Sequence, residues 1–118
     1  MTKVAIVLLA DTENLGDMGR MANALSAVKE FKEAGDEIQL IFDGAGVKWV
    51  GELENPEHKY HDDYQAVKDK VAGVCKYCAN AFQVSDQVKD SKVTFADEFN
   101  GHPSFRKLVS QGYQVITF

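Results

Sequence analysis

Both cysteines of the chain lie in the stretch VAGVCKYCANAF, residues 71–82, as the pair Cys75 and Cys78. Two thiols at C-x-x-C spacing could carry sulfur, cycle between dithiol and disulfide, or supply half of a metal site. A fourth use is chemically inert, because free cysteine often packs as a small hydrophobe. The neighbours Ala72, Val74, Ala79, Ala81 and Phe82 would suit that role. His58 and His61 form an H-x-x-H upstream and would complete a four-ligand zinc set. They begin a helical run of about ten residues, or ~15 Å, whose far end leads to the cysteines, so zinc would demand a fold-back. The expected reading is therefore two exposed histidines at a helix start, with no resident metal or cofactor. His102, before Pro103, reads as a cap or loop residue.

What the thiols can do depends on the elements that hold them. KVAIVLLA (Lys3–Ala10) is an unbroken apolar run, the pattern of a strand buried on both faces of a parallel sheet. After the polar DTENLGD, Asp17 can cap a helix to about Ala34 with Met18, Met21, Ala22, Leu25 and Val28 on one stripe. Gly35 supplies its stop, and EIQLIF (Glu37–Phe42) the next strand. A helix through YHDDYQAVKDKV follows, with Tyr60, Tyr64, Val67 and Val71 at helical spacing. VAGVC reads as a short strand and KYCANAFQV as the helix after it. Ser85 opens another short helical stretch, and KVTF (Lys92–Phe95) reads as a minor strand. HPSFRKLVSQG predicts a helix ending at Gly112, and YQVITF a closing strand. This alternation predicts an α/β fold, a three-layer α/β/α sandwich over a mostly parallel sheet, in one domain spanning residues 1–118.

Ligands on such sheets gather at the carboxyl ends of the strands. Cys75 falls there, at a strand end that is also a helix start, with Lys76 and Lys70 expected to add positive field. That setting predicts a lowered thiol pKa. A thiol of pKa ~8.5 is about 3% thiolate at pH 7, and one at ~6.5 is about 75%. Cys78, one helical turn on, could take over a sulfur held by Cys75 or close a transient disulfide with it. Asp11, Glu13, Asp17 and Asp43 fall near the same edge and read as helix caps more readily than as a magnesium site. DGAGVKWV reads as a turn, Trp49 and Phe42 as core, and ADTENLGD lacks the phosphate-loop pattern.

The net charge of −5 with scattered Lys and Arg argues against nucleic acid and against an anionic membrane surface as partners. The longest apolar run, Val4–Ala10, is far short of the ~20 residues that span a bilayer. A single Lys3 before it and DTEN after it do not make a secretory signal. A cytoplasmic setting is expected, where thiols stay reduced.

KVAIVLLA, MANAL…AGDEIQLIFDGAGV, GVCKYCANAF and the terminal GYQVITF together resemble the DsrE/DsrF-like proteins over nearly the whole chain. FQV (Phe82–Val84) stands where many relatives carry an Arg-Gly pair. The resemblance implies a sheet of about five parallel strands and a homo-oligomer, a trimer or hexamer. It also implies a sulfurtransferase or sulfur carrier that holds a cysteine persulfide between donor and acceptor proteins, as in sulfur oxidation or transfer-RNA thiolation. By that likeness the catalytic pair is Cys75, the carrier, with Cys78 assisting. A non-catalytic oligomeric binding module and a thiol–disulfide redox protein are the alternatives on the same fold.

Overall fold

In the computed structural model, which describes residues 2–118, five parallel strands form one sheet in the order β4-β3-β2-β1-β5. The strands are β1 (Lys3–Leu8), β2 (Glu37–Phe42), β3 (Val71–Cys75), β4 (Phe95–Ala96) and β5 (Gln114–Thr117). The helices are α1 (Leu15–Glu33), α2 (Trp49–Glu54), α3 (His61–Gln65), α4 (Lys76–Ala81), α5 (Ser85–Ser91) and α6 (Phe105–Ser110). β1 is buried from Val4 to Leu8, as its continuous apolar sequence requires of a central strand. It pairs with β2 along its whole length and with β5 on its other side.

The two sheet faces are covered unequally. Val4, Ile6 and Leu8 of β1 and Leu40 and Phe42 of β2 pack into the main core with the α1 stripe Met21, Ala24, Leu25 and Val28. Trp49, Leu53, Tyr64, Val67 and Val88 extend that core. On the other face Ala5, Val7 and Ile41 meet, among the described residues, only Leu108 of α6 as a further buried side chain, with Tyr113 and Val115 partly covering them.

Three local expectations shift. The N-cap of α1 is Asn14, whose side chain accepts the Asp17 N–H at 2.9 Å, so the helix begins nearly one turn earlier than Asp17 would set it. Asp17 lies in the first turn, paired with Arg20. The helical run expected through Val71 breaks: α3 is one turn, and a 3-10 turn at Lys68–Lys70 delivers the chain to β3. Tyr64 and Val67 still fill the core, but Val71 must pair with Leu40 to start the strand, and helix and strand cannot share it. The minor strand β4 is two residues long, displaced to Phe95–Ala96 because Lys92 takes a left-handed turn at the end of α5.

Candidate functional site

Cys75 is the last residue of β3 and the N-cap of α4, the strand-to-helix junction the sequence predicts. Its sulfur accepts the Cys78 N–H at 3.4 Å, so one turn of helix fixes the two thiols relative to each other. Two further segments close on them. At the end of β2, Asp43 caps a 3-10 turn by accepting the Gly44 N–H at 2.8 Å, and the same Oδ1 accepts the Cys78 thiol at 3.4 Å. This turn presses against β1 so closely that a Cβ on Gly46 would lie 2.0 Å from the Leu8 carbonyl oxygen. Glycine is required there by contact, and the turn's position follows from it.

The other segment is the hairpin Phe99–His102. Phe99 and His102 exchange backbone hydrogen bonds of 2.9 and 2.8 Å around Asn100 (φ 51°) and Gly101 (φ 85°). Two central residues with positive φ make a primed turn, for which Asn-Gly is the favoured sequence. The Gly101 carbonyl accepts the Tyr77 N–H at 2.9 Å, which ties the hairpin to the first turn of α4. His102 then stands with Nδ1 3.3 Å from Cys75 Sγ, its ring against that of Tyr77 at 4.7 Å. In the tautomer protonated at Nε2, Nδ1 accepts the Cys75 thiol proton.

Asp43, Cys75, Cys78 and His102 therefore form one cluster whose donor atoms all lie within 4.8 Å of one another. Cys75 and Asp43 are buried, while Cys78 and His102 are half-buried. Beside the cluster lies a groove of about 770 Å³, lined by Asp43 and His102 and by the apolar Phe99, Pro103 and Phe105.

The electrostatics run opposite to the expectation for Cys75. Burial pushes its thiol up from an ordinary 9.0 to about 12, and the Asp43 carboxylate and Cys78 thiol add to the rise. Only the Cys78 N–H works against it. The lysines expected to add positive field are directed elsewhere. Lys70 precedes β3, roughly 16 Å away along the strand, and Lys76 reaches toward Asp97 at 3.9 Å.

The histidines paired with the cysteines in the sequence stand elsewhere. His61 Nδ1 lies 2.7 Å from the Leu53 carbonyl, and His58 Nδ1 accepts the Tyr60 N–H at 3.0 Å beside Trp49. His102, set aside in the sequence as a loop residue, takes their place. The signal that could have found it is the dipeptide Asn100-Gly101, which folds the following residue back onto its neighbours. Asp11 and Glu13 hold Lys48, at 2.6 and 3.2 Å, and that ammonium keeps the Asp11 carboxyl below its usual range. Trp49 is core, with its indole N–H donating to the Ala10 carbonyl at 3.0 Å. Among the described residues no helix is long and apolar enough to cross a membrane.

Comparison with known proteins agrees with this architecture. An uncharacterized protein of Methanocaldococcus jannaschii is 33% identical over 104 residues, covering 88% of this chain and 84% of its own. A conserved protein of unknown function from Bacteroides thetaiotaomicron has a similar fold, with a TM-score of 0.62 over 97% of this chain and 94% of that one at 16% identity. A family profile aligns with residues 3–118, from the first residue of β1 to the end of the chain and through the whole thiol cluster. By sequence over that length, this chain belongs to the DsrE/DsrF-like family.

Proposed function

We propose that the protein carries sulfane sulfur on its thiol pair, in the manner of a sulfur-relay component. The observation that carries this reading is the placement of Cys75 and Cys78 together at the carboxyl rim of the sheet, with a histidine nitrogen against the deeper sulfur. Membership of the DsrE/DsrF-like family supports the same class of chemistry.

The burial of Cys75 divides the labour. Cys78, half-buried, is the thiol a donor can reach. Its sulfur attacks the outer sulfur of a donor persulfide, R–S–SH. A Cys78 S–S bond forms as the donor's S–S bond breaks, and the donor leaves as a thiolate that takes up the proton Cys78 has lost. No net oxidation occurs, because sulfane sulfur only changes its thiol. Cys75 can then attack the same outer sulfur, returning Cys78 to the thiol. His102 Nδ1, at 3.3 Å, is the base within reach of the Cys75 proton. A sulfur resting on Cys75 is shielded from water and stray thiols by the burial that makes that residue slow to ionise.

The test is mass spectrometry of metal-free protein after exposure to a low-molecular-weight persulfide and then an alkylating agent. Wild type gains one sulfur atom per chain. Cys78→Ser gains none, whereas Cys75→Ser gains one and loses it faster to added thiol. If wild type takes up no sulfur, the reading fails. Loss of two protons under mild oxidant without sulfur uptake replaces it with dithiol–disulfide cycling.

A further inference from the structure

We propose that Asp43, Cys75, Cys78 and His102 form a mononuclear site for a zinc-like divalent ion. This inference stands independently of the sulfur reading, although it draws on the same thiols. It also reverses the expectation from sequence that the chain holds no metal.

The donor set is the first ground. Two thiolates, one imidazole nitrogen and one carboxylate oxygen are all ligand types that zinc takes, in the number a closed tetrahedral site needs. Hard ions such as magnesium prefer all-oxygen shells and would not select this one.

Geometry is the second ground. Around a tetrahedral zinc with bonds of about 2.0–2.3 Å, neighbouring ligand atoms stand roughly 3.3–3.8 Å apart. Here Cys75 Sγ is 3.3 Å from His102 Nδ1 and Cys78 Sγ is 3.4 Å from Asp43 Oδ1. With all four atoms inside 4.8 Å, only small side-chain adjustments are needed to centre an ion.

The third ground is support from behind the ligands, which orients them before an ion arrives. The Cys78 N–H points at Cys75 Sγ, the Gly44 N–H holds Asp43, and Tyr77 backs the His102 ring. The ligands come from the ends of β2 and β3, the first turn of α4 and the Asn-Gly hairpin. An ion would therefore join three segments that are distant in sequence. Binding releases the two thiol protons to solvent, and with three anionic ligands the occupied site carries one net negative charge.

Cobalt(II) is the direct probe, since tetrahedral thiolate sites give it visible d–d bands and a near-ultraviolet charge-transfer band. Reduced wild-type protein should develop both at one equivalent and lose them on adding one equivalent of zinc. Cys75→Ser and Cys78→Ser should abolish the charge-transfer pattern of a two-thiolate site. His102→Ala and Asp43→Asn should each bind zinc at least tenfold more weakly, and His58→Ala should bind it as wild type does. One arm needs no variant: stoichiometric zinc should suppress alkylation of Cys78 in wild type, and a chelator should restore it. Absence of the cobalt bands, unchanged zinc affinity in either His102→Ala or Asp43→Asn, or unaltered Cys78 alkylation with zinc would each overturn the proposal. Because sulfur loading is measured on metal-free protein, failure of one reading leaves the other's result intact.

Discussion

In metal-free protein the Cys75 thiol should stay protonated through a pH range in which an ordinary cysteine ionises. Burial raises it from 9.0 to about 12, so between those values the unfolded chain gives up this proton and the folded chain keeps it. The unfolded state then binds fewer protons, and stability falls as pH climbs through that window, having been fully present below it. Denaturant titrations across the alkaline range should show this decline, and Cys75→Ala should flatten it. Alkylation mapped by peptide should label Cys78 well before Cys75 at any pH short of unfolding. His102 was hidden in the sequence because a lone histidine in a polar loop carries no periodicity. Its role depends on a turn that returns the chain to a strand end more than twenty residues earlier, and only Asn100-Gly101 announces that turn.

The elements most readable in advance were those whose residues repeat a burial pattern. β1, α1 and β2 stand where their apolar runs and the glycine at position 35 put them, and Cys75 falls at the junction of β3 and α4 as expected. Between α2 and β3 the pattern misled, since Tyr64, Val67 and Val71 fit a helical stripe while belonging to three different conformations. A buried side chain reports only that it meets the core, whichever backbone brings it there. The helix cap was misplaced at Asp17 because Asn14, three residues earlier, is also a capping residue type and the first turn accommodates both. Replacing Asn14 with Ala should cost about 1 kcal/mol in denaturant unfolding, the usual worth of such a cap. Gly46→Ala should cost more, about 3 kcal/mol, because its new methyl meets the backbone of β1 and not a side chain that could swing aside. It should also shift Asp43, so zinc affinity would fall along with stability.

Across the whole molecule the unequal dressing of the sheet matters most. Five helices contribute to or flank the main core, whereas the second face relies on Leu108 of one six-residue helix. Leu108→Ala should therefore loosen that face out of proportion to its size, by about 2–4 kcal/mol, read as a lower denaturation midpoint. On the outer side of α6, Val109 is 64% exposed and Phe105 41% exposed, with Phe99 at 65% close by. We propose that this apolar surface packs against further copies of the chain, giving the trimer or hexamer implied by the family likeness. Light scattering should return a multiple of 13.1 kDa, and Phe105→Glu with Val109→Glu should return the monomer. A wild-type mass of one chain would dismiss the assembly.

Because every strand runs in one direction, the sheet has a working rim and a blank one. The connections at Gly35–Asp36 and at Gly112 hang from the blank rim, a full strand's length from the sulfurs. A fluorophore, an affinity handle or a surface tether could be installed there without crowding the thiol cluster. The molecule can be immobilised with its thiol-bearing end facing the bulk solution.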